Sequence, residues 1–189
     1  MPPGDLLIHA GDFTFMSKSL HEIRDFNIWL GELPHRYKVV IPGNHEFAFE
    51  ENPRLRGEIS NAMFLIDEAV EVGGLRVWGS PLTNLYGGAF GRSAASARAR
   101  VYDGIPAGTD IVVTHGPPFG VLDSAARSER HQGCRELRSV VGRIRPKLHV
   151  FGHIHGGYGM STEDGTIFVN AATVGESMKV ERRPMVLEL

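Results

Sequence analysis

The chain has 189 residues, 20 Lys+Arg against 22 Asp+Glu and 42% hydrophobic residues, enough for one domain with an ample core. It has no apolar run near the roughly 20 residues of a membrane span, and its near-neutral charge gives no general pull toward nucleic acid or anionic lipid, so an anionic substrate must be held by specific groups. The single cysteine, Cys134, excludes an internal disulfide framework and a clustered-thiolate zinc site, which makes a reducing compartment, the cytoplasm, the expectation. The amino terminus, Met1-Pro2-Pro3-Gly4-Asp5, lacks the basic start and long apolar stretch of a signal peptide.

In chain order, Leu6-Leu7-Ile8 and Tyr37-Lys38-Val39-Val40-Ile41 read as buried strands closed by glycine turns at Gly11 and Gly43. Between them Leu20, Ile23, Phe26, Leu30 and Leu33 recur at helical spacing, with Ser17 as the expected cap and Pro34 as the stop. Strand, helix, strand is a crossover unit and implies a sheet with parallel pairing. Residues 62–66, 75–79, 111–114, 148–151 and 166–170 are strand-like, and 185–189 is a candidate final strand. A second helix is expected from about Gly133 to Ile144, burying Cys134, Leu137, Val140 and Val141 and ended by Pro146. The stretch 86–99, rich in Gly, Ala, Ser and Arg, reads as a loop over a site or a short surface helix.

Six polar residues follow these strands directly: Asp12, Asn44, His45, His115, His153 and His155. Strand ends are where α/β sheets gather functional groups. In Gly152-His153-Ile154-His155-Gly156 the two imidazoles project the same way if the segment is extended, so both rings can meet one metal centre. Asp12 offers a bridging carboxylate, Asn44 an amide oxygen, and His115, His153 and His155 neutral imidazoles; mixed O/N ligation suits Mn, Fe, Zn or Ni better than Ca or Mg alone. His45, adjacent to Asn44, is better cast as a proton donor to a leaving oxygen. His9 and His149 lie inside strand-like runs and read as hydrogen-bonded core residues. Phe13, Phe15, Phe119 and Tyr158 lie beside the motifs, each a candidate either for the core or for stacking on a base.

Gly11-Asp12, Gly43-Asn44-His45-Glu46, Thr114-His115-Gly116-Pro117-Pro118 and Gly152-His153-Ile154-His155, in this order, resemble the motifs of the calcineurin-like metallophosphoesterase superfamily over nearly the whole chain. Residues 29–31, 145–152 and 157–159 make it similar in particular to the brain-type metallophosphoesterase-domain proteins, relatives of class III cyclic-nucleotide phosphodiesterases. The resemblance implies one α/β domain over 1–189, a four-layer αββα sandwich of two mixed sheets. It also implies up to two divalent metals per chain, Mn foremost and Fe, Zn, Ni or Mg as alternatives. By the same resemblance Asp12 bridges the metals, Asn44, His115 and His153 complete the second site, His155 reaches the first, and His45 protonates the leaving alkoxide.

The family opens with a strand carrying Asp-x-His, which is not found upstream of Asp12. A late or trimmed start, ligands from a neighbouring molecule, and one tight plus one weak metal are the three explanations. A homodimer or rearranged terminal segments are expected to cover the strand edge so exposed. The expected activity is hydrolysis of a small phosphodiester, with cyclic nucleotides suggested and neither a membrane nor an extended nucleic acid as partner. The alternatives are a metal- or nucleotide-binding regulator with a degraded first metal site, or a phosphomonoesterase or nuclease of the same superfamily.

Overall fold

A computed structural model describes residues 1–16, 18–84, 87–125 and 130–189. The first crossover forms as expected: β1 (Leu6–His9), α1 (Leu20–Glu32) and β2 (Tyr37–Val40), with β1 and β2 parallel. Ser19 caps α1, its side chain accepting the His21 N–H; Ser17, the expected cap, lies outside the described residues. β3 (Met63–Phe64) pairs parallel with β2 and completes a three-stranded sheet in the order β1-β2-β3. Among the described residues the outer edge of β1 has no strand partner.

Two hairpins go beyond the sequence reading. β4 (Glu68–Val72) turns back into β5 (Leu75–Ser80) through Gly73-Gly74, both at positive φ, and β8 (Gly159–Glu163) turns into β9 (Thr166–Asn170) through Asp164-Gly165, again both positive. Two residues at positive φ match the strand twist of a tight hairpin. With β6 (Ile111–Thr114) and β7 (Leu148–Phe151) these strands make a six-stranded sheet, β4-β5-β6-β7-β9-β8. Its inner strands β5, β6, β7 and β9 pair parallel and its edges antiparallel.

The remaining α-helices are the short α2 (Phe47–Glu51), α3 (Ala95–Tyr102), which starts inside the irregular stretch and runs past its end, and α4 (Arg135–Ile144), which starts just inside its expected bound. Residues 185–189 form no strand; Met185 and Leu187 pack as irregular chain against the core, a correction to the expected final strand. A strand there would need a ladder partner, and none of the described strands pairs with this segment.

Strand alternation sorts the apolar side chains into three cores, which define the four layers. Leu7 and Val40 face Ile23 and Leu30 of α1 and Phe49 of α2. Val39 and Ile41 face the other way, meeting Val77, Ile111, Val113 and Val150 of the larger sheet. On its far side Trp78, Val112, Phe151 and Phe168 pack on Leu137 and Val141 of α4 and on Tyr102 of α3. In the larger sheet the register aligns Ser80 with Thr114 and Phe151 with Asn170, so the parallel strands end along one edge. Every predicted site residue follows a strand end of the two sheets.

Candidate metal centre

His115 leaves β6 with its backbone N–H on Ser80 O and its carbonyl accepting Gly152 N–H, which ties the β7 loop to it. Its ring Nδ1 lies 2.7 Å from the Ala10 carbonyl. A carbonyl only accepts, so Nδ1 carries the proton and the neutral ring turns an Nε2 lone pair inward. That lone pair faces Asn44 Oδ1 at 2.9 Å and Asp12 Oδ2 at 3.2 Å. Three acceptors converge there, and a cation reconciles them: a proton on Nε2 or a metal ion. Burial opposes protonation of His115, but the Asp12 charge and hydrogen bond outweigh it and raise its pKa. Burial likewise works against Asp12, yet the His115 charge and hydrogen bond hold its carboxyl well below the usual range.

His153 completes the group. Its Nδ1 stands 2.9 Å from the same Asn44 Oδ1, and its Nε2 is buried without a hydrogen-bond partner. Burial first, then the neighbouring His115 charge, lower its pKa to about 3, so the ring is neutral with a lone pair to give. Ligand atoms of Asp12, His115 and His153 all lie within 4.8 Å of one another. Two imidazoles, a carboxylate and an amide oxygen gathered this closely fit a divalent cation.

The geometry is held under strain. Asp12 and His153 sit at φ 59° and 66°, in the left-handed region that only surrounding structure can enforce on a side-chain-bearing residue. Glu46, 1% exposed, does so for the Asp12 loop. Its carboxylate accepts the N–H groups of Gly43 (2.6 Å), Asp12 (2.8 Å) and Thr14 (2.8 Å) and the Thr14 hydroxyl (2.9 Å). Burial and the Asp12 charge push its pKa up, and the Gly43 and Thr14 N–H groups pull it back. Gly43 must be glycine, because a Cβ would stand 2.3 Å from Asp12 Oδ1. Asn44 is backed by the loop of the irregular stretch, where Ala89 N–H donates to its carbonyl and a Cβ on Gly88 would touch its side chain.

His45 and His155 stand apart from this group. The His45 backbone N–H donates to Asp12 Oδ1 at 3.1 Å, and its ring Nδ1 donates to Thr14 O at 3.3 Å, leaving Nε2 free of that bond. His155 Nδ1 donates to the Gly175 carbonyl at 3.1 Å, and His155 is outside the three-residue ligand group found among the described residues. His149, fully buried, donates from Nε2 to the Thr114 hydroxyl, which in turn donates to Gly116 O. His9 accepts Gly11 N–H on Nδ1 against the rings of Phe13 and Phe26.

A family profile described as calcineurin-like phosphoesterase matches residues 2–157, which takes in all these strand ends. The chain belongs to the calcineurin-like phosphoesterase family. Members of this metallophosphoesterase superfamily are hydrolases that use divalent metals, which accords with the cluster. The chain is 39% identical to human metallophosphoesterase domain-containing protein 1, over all of this chain and 66% of that protein, just under two thirds of its length. A UPF0046 protein of Caenorhabditis elegans is 36% identical over 98% of this chain and 68% of its own. A crystal structure of a protein from Thermus thermophilus aligns at a TM-score of 0.59 with 15% identity, covering 89% of this chain and 76% of that one, a likeness of fold. No helix among the described residues of this phosphoesterase-family chain is long and apolar enough to cross a membrane.

Two residues that build the centre were missed in the sequence. Glu46 carries no ligand or acid role in the Gly43-Asn44-His45-Glu46 motif, yet a carboxylate buried beside a glycine turn must accept nearby N–H groups. Asn170 ends a strand just as Asp12, Asn44 and His115 follow theirs, and the same strand-end rule applied to β9 would have found it. Its amide donates to Ile154 O at 2.9 Å and to Leu122 O at 3.0 Å, holding the segment between His153 and His155.

Proposed function

We propose that the chain is a metal-dependent phosphodiesterase acting on small phosphodiesters, cyclic nucleotides among them, with His45 as the acid that protonates the leaving oxygen. The observation that carries this reading is the convergence of the His115 Nε2 lone pair, Asp12 Oδ2 and Asn44 Oδ1 on one point, with His153 alongside. Asp12, Asn44, His115 and His153 would hold the first-filled ion and His155 a second, with manganese the foremost candidate. A divalent ion bound there supplies Lewis-acid polarisation of a phosphoryl group and activation of water.

The chain's own residues supply the rest. The Ala10 carbonyl fixes the His115 tautomer, and Glu46 holds the Asp12 backbone so that its carboxylate stays in the cluster. Thr14 O holds His45 Nδ1, so a proton carried on Nε2 is free to pass to the departing alkoxide. His45→Ala is expected to lower kcat on bis(p-nitrophenyl) phosphate by roughly 10²- to 10⁴-fold while metal content by elemental analysis stays at the wild-type value. An unchanged rate would overturn the role of His45, and metal-loaded protein without turnover on this diester or on 2′,3′- and 3′,5′-cyclic nucleotides would overturn the activity.

One observation favours the alternative of a metal- or nucleotide-binding regulator: the described ligand group gathers Asp12, His115 and His153 and leaves His155 on the Gly175 carbonyl. On that reading one metal binds tightly, and none of the substrates above is turned over.

A further inference from the structure

Four aromatic residues flank the strand-end motifs, and the fold occupies three of them. Phe13 stacks on Phe26 of α1 at 4.1 Å between centroids, with rings 7° apart, both half-buried against the core. Phe119 lies under the Arg135 guanidinium, 3.6 Å above its ring, with His131 tilted against it at 5.0 Å. The Tyr158 hydroxyl donates to Arg183 O, and Arg182 sits 5.0 Å from its ring. Phe15 is the exception. It is 75% exposed, and its ring meets the His45 ring edge to face at 5.9 Å and 88°.

This exposure is imposed by the residues before it. Thr14 is buried, its N–H and hydroxyl both given to Glu46 and its carbonyl holding His45 Nδ1, while Phe13 is locked in the aromatic stack. The backbone therefore leaves a fixed point of the site, and Phe15 emerges beside His45 rather than in the aromatic core two residues away. Met16 follows at 54% exposure. An exposed apolar ring next to a catalytic group is a surface that gains from being covered.

We propose that Phe15 is a specificity-determining residue, the platform on which a planar aromatic group of the phosphoester's leaving side packs. The inference rests on the reading of His45 as the leaving-group acid. An oxygen within hydrogen-bond reach of His45 Nε2, about 2.7–3.2 Å, brings its substituent into the neighbourhood of the Phe15 ring, whose centre lies 5.9 Å from that of the imidazole. A ring of the substrate placed there meets the faces of Phe15 at the offset or edge-on separations that aromatic pairs prefer. The preferred ester class is then one with an aryl or nucleobase-bearing leaving group over a small alkyl one.

The test is calorimetric binding of phenylphosphonate and methylphosphonate, neither of which loses its P–C bond to hydrolysis, to the manganese-loaded protein and to its Phe15→Ala and Phe15→Trp variants. Wild-type protein is expected to prefer the phenyl ligand. Phe15→Ala should cut the phenyl-to-methyl preference by roughly three- to tenfold and Phe15→Trp should retain it. Absence of a phenyl preference in the wild type, or an equal preference in Phe15→Ala, overturns the assignment. A Phe15-dependent preference in a protein that hydrolyses no diester keeps Phe15 as an aromatic-binding surface while overturning the catalytic reading and with it the leaving-side assignment, so the two failures are told apart.

Discussion

Glu46 carries four hydrogen bonds on two oxygens, and through them the Gly43 turn and the Asp12–Thr14 segment are one object. Glu46→Gln keeps the volume but turns an NH2 group toward groups that are themselves donors. Losing one or two charge-assisted bonds in a buried place costs about 2–4 kcal/mol, read as a fall in the urea midpoint at unchanged m-value. Because the Asp12 backbone is then free to relax from φ 59°, manganese affinity is expected to drop by about 10- to 100-fold, measured by calorimetry. A stable variant with wild-type affinity would show that the loop is held by other means. At this scale the sequence pointed to Asp12, Asn44, His115 and His153, which the structure brings together, because each follows a strand end; His155 follows one too and lies instead on the Gly175 carbonyl. The sequence did not reveal the hydrogen-bond partners, the Ala10 carbonyl and the Glu46 carboxylate, since which backbone group a side chain meets is a matter of loop geometry.

Elements were legible where periodicity is long or continuous. The α1 stripe from Leu20 to Leu30, the apolar run of β7 and the α4 stripe carry a period over enough residues to declare themselves. The two outer strands β4 and β8 are rich in Glu, Ser and Thr, with half-exposed patterns, so composition hides them. Their tight turns, Gly73-Gly74 and Asp164-Gly165, were the available signal. The β8–β9 hairpin matters for the site, because β9 ends in Asn170, whose amide clamps the loops after β6 and β7. Gly157 completes this clamp: a Cβ there would lie 1.8 Å from Leu122 O. Asn170→Ala leaves the Leu122 carbonyl without its donor and the Ile154 carbonyl with the Gly157 N–H alone, and the expected loss is about 1–3 kcal/mol of stability with about tenfold weaker manganese binding. Asn170→Asp, equal in size but without the N–H groups, should be no better. An Asp variant with wild-type manganese affinity would assign the effect to packing instead.

At the scale of the whole molecule, the sandwich buries titratable rings in two of its layers, and this sets how the metal-free protein responds to acid. His149 is enclosed between Phe151 and Phe168 on the outer face of the large sheet, and burial lowers its pKa from 6.5 to about 3. His9 is lowered to about 4 by burial, and His153 to about 3 by burial and the His115 charge. Between pH 6.5 and these folded values the unfolded chain binds protons that the folded one refuses, so stability falls as pH falls. His115, raised by Asp12, works in the opposite direction, and Asp12 itself, held low, adds its loss only below its ordinary carboxylate range near 3.8. A single substitution isolates one contributor. His149→Gln removes a titration while an amide N–H still reaches the Thr114 hydroxyl that His149 Nε2 now meets at 2.9 Å. Urea unfolding with chelator present should show the loss of stability between about pH 7.5 and 5.0 reduced in this variant by on the order of 2 kcal/mol. Parallel pH profiles for variant and wild type would mean that His149 takes up its proton in the folded state as readily as in the unfolded one. The layer between the large sheet and α4 would then have to admit a charge, against the dry apolar contacts that surround it.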